Sequence, residues 1–128
     1  SDFPPYINLI DCRNLDIKAM NPDKIYIQNP YDEFNPSYIL DPDYFSVNLA
    51  KYTNELIYVP YFTVDEFTME DSREFYNMRY YVTIPGVIAA YMVLVQSKNM
   101  KALYINKLNE FLGADYTEYF SSIIEVQH

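Results

Sequence analysis

Hydrophobic and polar positions change rhythm along the chain. From Tyr6 to Cys12 they alternate, with Tyr6, Asn8 and Ile10 set against Ile7, Leu9 and Asp11. A period of two predicts a strand. KIYIQ (Lys24–Gln28) and ELIYVPYFT (Glu55–Thr63) are rich in β-branched and aromatic residues and predict two more, with Pro60 confining part of the second to an edge or bulge. Thr63-Val-Asp-Glu66 has the form of a capping box, and a short helix within Asp65–Asn77 would follow it. RYYVTI (Arg79–Ile84) predicts a strand, and Ile84-Pro85-Gly86-Val87 a type II turn. VIAAYMVLV (Val87–Val95) is apolar on every side and belongs in the core. Its length and β-branching favour a strand; Thr83 as a cap ahead of Pro85 would favour a helix.

The one sustained helical period runs from Lys98 to Leu112. Met100, Leu103, Tyr104, Leu108, Phe111 and Leu112 make one apolar face, and Lys98, Lys101 and Lys107 lie away from most of it. Ser97 is placed to cap the start, and Gly113 to end the helix in the left-handed conformation. The tail TEYFSSIIEV reads as a final strand in preference to a short helix. These elements predict an α+β fold: an antiparallel sheet of short strands with one principal amphipathic helix, residues 98–112, packed on it.

Between the first predicted strands the pattern is neither strand nor helix. Asn21-Pro22, Asn29-Pro30, Asn35-Pro36 and Asp41-Pro42 punctuate it, the last three six residues apart. Three units with unlike intervening residues are too few for a solenoid. Each Pro fixes its own φ and restricts the residue before it, while the Asx side chain can bond to the backbone beyond. The stretch therefore predicts stiff turns joined by short extended pieces.

The 128 residues form one domain, 1–128, of which 50% are hydrophobic and 21% charged, so the composition is not that of a disordered chain. The longest apolar run, Val87–Val95, falls short of the ~18 residues a membrane span needs. SDFPPY has no basic region followed by an apolar one, so no signal peptide is visible. Cys12 stands alone in YINLIDC, which fits a buried, inert thiol in a reducing compartment and a cytoplasmic location.

Candidate chemistry narrows by inventory. Two glycines, Gly86 and Gly113, cannot build a phosphate loop or a dinucleotide fingerprint. The one histidine, His128, is the last residue, and with a single cysteine it leaves no Ser-His, Cys-His or zinc site. Asp41, Asp43, Asp65 and Glu66 could offer oxygen ligands to a divalent cation, but their spacing fits no calcium loop, and solvated Asx turns explain them more simply. No cofactor, no metal site and no enzymatic activity are expected.

Charge and tyrosine then shape the expectation of function. Residues 25–72 carry nine acids against Lys51, while residues 73–107 carry five bases against Glu74; the whole chain has a net charge of −9. Seven of the 15 tyrosines fall in the acidic block, which disfavours stacking on nucleic acid there. Three readings of the tyrosines stand: half-buried strand positions, a protein-binding face, or a stacking platform. The leading expectation is a non-enzymatic, acidic protein-binding module. In its sharpest form it is a nucleic-acid-mimicking inhibitor or immunity-type protein, from a phage or bacterium, acting on a basic nucleic-acid-binding partner. Asp32, Glu33, Tyr38, Asp41, Asp43, Tyr44, Asp65, Glu66, Glu70 and Asp71 are its candidate contacts. YFTVDEFT (Tyr61–Thr68) resembles a segment of the antirestriction proteins that mimic DNA; the likeness spans eight of the 128 residues. The alternatives are an assembly subunit, of a virion or another homo-oligomer, using residues 21–46 as a contact arm, and a small domain binding single-stranded nucleic acid.

Overall fold

The chain was analysed as a computed structural model that describes residues 2–37 and 39–127. In chain order its elements are a 3-10 turn (Cys12–Asn14), α1 (Ile17–Met20), β1 (Lys24–Ile27), two 3-10 turns (Asp32–Phe34 and Pro42–Tyr44), α2 (Ser46–Tyr52) and β2 (Glu55–Tyr58). There follow α3 (Ser72–Asn77), a 3-10 turn (Met78–Tyr80), α4 (Pro85–Ile88), β3 (Met92–Val95), α5 (Lys98–Leu112), a 3-10 turn (Ala114–Tyr116), α6 (Thr117–Ile123) and β4 (Ile124–Val126). The four strands form one sheet in the order β1-β2-β3-β4, and every pair is parallel. Among the described residues the fold is therefore α/β with six helices, not an antiparallel sheet with one principal helix. The reason lies in the connections. Parallel neighbours need a crossover of a dozen residues or more, and segments 28–54, 59–91 and 96–123 each supply one containing helix.

Ile27, Tyr58, Val93 and Ile124 are paired across all four strands and so share one face. Tyr58, Val93 and Ile124 on that face belong to the core with Met100, Leu103, Tyr104 and Leu108 of α5. On the opposite face Tyr26, Ile57 and Met92 stand in register; Ile57 is buried but Tyr26 is exposed. Gly86 lets the start of α4 meet the segment after β1. Its N–H donates to the Pro30 carbonyl at 2.8 Å, and a Cβ there would sit 2.4 Å from the Pro30 Cβ.

Several sequence expectations change. Tyr6–Cys12 is not a strand: its residues are exposed and pair with nothing in the sheet, and Cys12 is exposed, not buried. Alternation supplies a strand's faces but not its partner. Arg79–Ile84 is a 3-10 turn running into an irregular segment, and Pro85 starts a helix where the type II turn was expected, as suits proline in a first helical turn. Val87–Val95 divides between the end of α4 and β3, and the tail divides between α6 and β4. The Lys98–Leu112 helix holds residue for residue, with the Ser97 hydroxyl accepting from the Met100 N–H at 3.1 Å. Its faces differ in detail. Phe111 and Leu112 are exposed in the last turn, and Lys107 is buried, its ammonium 3.9 Å from the centre of the Phe75 ring and 3.2 Å from Glu110. Gly113 has φ 89° and ψ 165°, extended with positive φ rather than left-handed helical.

Candidate docking recess at the carboxyl end of the sheet

Parallel strands send all their carboxyl ends to one side. In open α/β sheets ligands bind outside those ends, at the point where strand order reverses. Here the order runs β1 to β4 without a reversal, so no crevice opens between diverging crossovers. What forms at this side is built by the connections that leave β1 and β2.

The connection after β1 is held by its Asx-Pro turns. The side-chain oxygens of Asn29, Asn35 and Asp41 accept from the N–H groups of Tyr31, Ser37 and Asp43, at 3.2, 2.8 and 2.9 Å. Each turn satisfies a backbone donor locally, so the segment keeps a fixed course without a strand or long helix. Two recesses result. One, of about 480 Å³, is bounded by Gln28, Asn29, Tyr31 and Tyr61. The other, of about 470 Å³, is bounded by Glu33, Ile39, Leu40, Pro42 and Phe45. Asn35, Pro36 and Ser37 line both and make them neighbours. Phe34, Ile39 and Tyr61 stand 66%, 100% and 60% exposed along this surface. The Tyr31 phenol is pushed up to about 12, first by burial and then by its hydrogen bond with Tyr61.

The ten candidate contacts divide into groups with different work. Asp32 is buried: its carboxylate accepts from the Ser46 N–H and hydroxyl, both at 2.7 Å, and from the Val47 N–H at 3.4 Å. It holds the start of α2. Asp41 serves its turn, and Asp71 accepts from the Thr68 N–H at 2.8 Å. Glu66 does not close a capping box. It reaches the start of α5, accepting from Ser97, Asn99 and Gln96 at 2.5, 2.6 and 3.1 Å, and these bonds hold its carboxyl below its ordinary value. The Tyr44 hydroxyl donates to the carbonyls of Cys12, at 2.7 Å, and Leu15, at 3.4 Å, and ties down the N-terminal segment. Tyr38 lies outside the described residues. Glu33, Asp43, Asp65 and Glu70 remain: all four are exposed, and none makes a side-chain hydrogen bond or ion pair among the described residues. Glu33 lines the second recess; Asp43 lines a different one, with Arg13, Lys18 and Tyr44; Asp65 and Glu70 lie on the connection from β2.

Phe34, Ile39 and Tyr61 were not among the candidate contacts. Their signal is a large apolar residue amid Asx-Pro turns, where no periodic face exists to bury it. The bases of residues 73–107 are largely engaged. The Arg79 guanidinium lies 3.5 and 4.0 Å from the ring centres of Tyr76 and Tyr80, and Lys101 donates to the Ser121 carbonyl at 2.8 Å. Among the described residues no three His, Cys, Asp or Glu side chains gather as a metal site, and no helix is long and apolar enough to cross a membrane. No protein-family model matches the chain, and neither a curated protein nor a solved structure does.

Proposed function

We propose that the chain is a non-enzymatic protein-binding module of the cytoplasm that receives a basic, amphipathic segment of a partner protein in the double recess beside β1. The observation that carries this reading is the division of labour among its acids. Glu33, Asp43, Asp65 and Glu70 hold nothing in the fold together, and Glu33 lines the double recess with the exposed Ile39 and Tyr61. An apolar centre with a charged rim is the anatomy of a protein interface, and a net charge of −9 steers basic partners toward it. A nuclease or another nucleic-acid-binding protein displays the required basic segment, so inhibition by occupying its nucleic-acid site is the specific form of this proposal.

A labelled peptide of alternating lysine and leucine serves as the probe, read by fluorescence anisotropy. Its affinity falls as salt rises, and falls about tenfold or more in the triple variant Glu33→Gln/Asp43→Asn/Asp65→Asn. The variant Asp115→Asn/Glu118→Gln/Glu125→Gln has the same net charge and loses little. Equal losses in the two variants, or binding indifferent to salt, overturn the reading.

A second reading, assembly with copies of itself, is favoured by a different segment from the one expected. Within residues 21–46, Pro30, Asp32 and Ser46 are buried in the chain's own fold. The stretch from Phe3 to Ile10 lies outside the core, with Phe3, Tyr6, Leu9 and Ile10 all at least half exposed. Light scattering across a concentration range separates the readings: self-association abolished by removing residues 1–10 supports assembly, and a strict monomer contradicts it.

A further inference from the structure

A separate cleft of about 150 Å³ opens between the segment after β2, the ends of β3 and β4, and the first turns of α5. Phe62, Tyr81, Tyr104 and Met100 line it, with the amides of Gln96 and Gln127. The rings form a continuous chain. Tyr61 meets Phe62 at 5.1 Å and Phe62 meets Tyr81 at 5.5 Å, both edge to face, and Tyr81 meets Tyr104 at 6.4 Å.

Acids border the cleft. No charged side chain lines it among the described residues. Gln96 in its wall donates to Glu66 at 3.1 Å. A neighbouring recess shares Val64 and Tyr81 with the cleft and carries Asp65 and Glu74. Two bases of α5 are engaged elsewhere, Lys101 with the Ser121 carbonyl and Lys107 on the Phe75 ring; Lys98 is exposed at the first position of the helix. Burial raises the phenols of Tyr81 and Tyr104 above their ordinary value, so both rings stay neutral at pH 7.

Aromatic walls in a negative field attract a cation. An ammonium with N–H groups also needs acceptors. Gln96 has little to offer, since its carbonyl accepts from the Val64 N–H at 3.1 Å and its amide donates to the Val64 carbonyl at 2.7 Å, which leaves Thr63, Gln127 and the tyrosine hydroxyls as the acceptors of the lining. A methylated ammonium carries the charge with fewer donors or none. A cavity of ~150 Å³ holds a ligand of about benzene's size, the order of a trimethylammonium group. We propose that this cleft binds a quaternary or methylated ammonium group, held against the rings of Phe62, Tyr81 and Tyr104 that line it.

The probe is choline, titrated by NMR against neohexyl alcohol, which puts carbon in place of the charged nitrogen. Choline binds about tenfold tighter than the alcohol. Tyr81→Phe keeps that preference, since the π face remains, and Tyr81→Leu loses about tenfold in choline affinity. Phe62→Leu, in the loop after β2, repeats the test should Tyr81→Leu fail to fold. Equal affinity for choline and the alcohol, no saturable binding of either, or choline affinity unchanged in both leucine variants overturns the proposal.

Discussion

Asp32 sits at φ 49° with its carboxylate buried under the first residues of α2. A non-glycine residue there is strained, and Asp and Asn tolerate it best. The side chain answers the strain by accepting from Ser46 and Val47. Asp32→Ala loses both the cap and the tolerance, and is expected to lower unfolding stability by about 2–3 kcal/mol in urea titration; Asp32→Asn loses clearly less. Tyr58 is the opposite case. Its hydroxyl is buried with no hydrogen-bond partner among the described residues, and burial foremost raises its ionisation above the ordinary range. An orphaned buried hydroxyl costs about 1–3 kcal/mol, so Tyr58→Phe is expected to leave thermal stability unchanged or raise it. The Asx turns at Asn29, Asn35 and Asp41 were legible in the sequence because each is complete within three residues. The roles of Asp32 and Tyr58 were not, because they depend on neighbours that only the folded chain supplies.

Elements were legible in proportion to their length. α5 spans 15 residues and shows its period over four turns, whereas the other helices have four to seven residues, too few to display a 3.6-residue repeat. Apart from α3, which falls within the short helix expected in Asp65–Asn77, these short helices were not read as helices, and with them went the crossovers that make the sheet parallel. The content of β1, β2 and β3 was visible in KIYI, ELIY and MVLV; strand direction is written in the connections, not in the strands. Glu66 shows the same limit between elements, joining residues 30 to 33 positions away at the start of α5. Because its folded pKa lies below the ordinary 4.5, its charge stabilises the fold above that value and loses effect as pH falls through the folded pKa. Glu66→Gln is therefore expected to cost less than about 1 kcal/mol at pH 7, in keeping with its solvent exposure. The difference from the parent chain should shrink toward zero as denaturation is repeated at progressively more acidic pH.

Across the whole molecule, the fold uses some of its acids and leaves others to solvent. The bulk charge and the acidic block of residues 25–72 were plain in the sequence; which acids are committed was not, since Asp32, Glu66 and Asp71 read like their free neighbours Glu33, Asp65 and Glu70. The structure also shows the apolar surface beside Glu33, where Asn35–Ser37 join two recesses. The most direct test is an NMR chemical-shift map of the chain titrated with the alternating lysine-leucine peptide. The expected result is saturable perturbation concentrated on Glu33–Ser37, Ile39–Asp43 and Tyr61, weakening as salt is raised. Perturbation spread evenly over the acidic surface, or centred away from these residues, would contradict a docking site in the double recess.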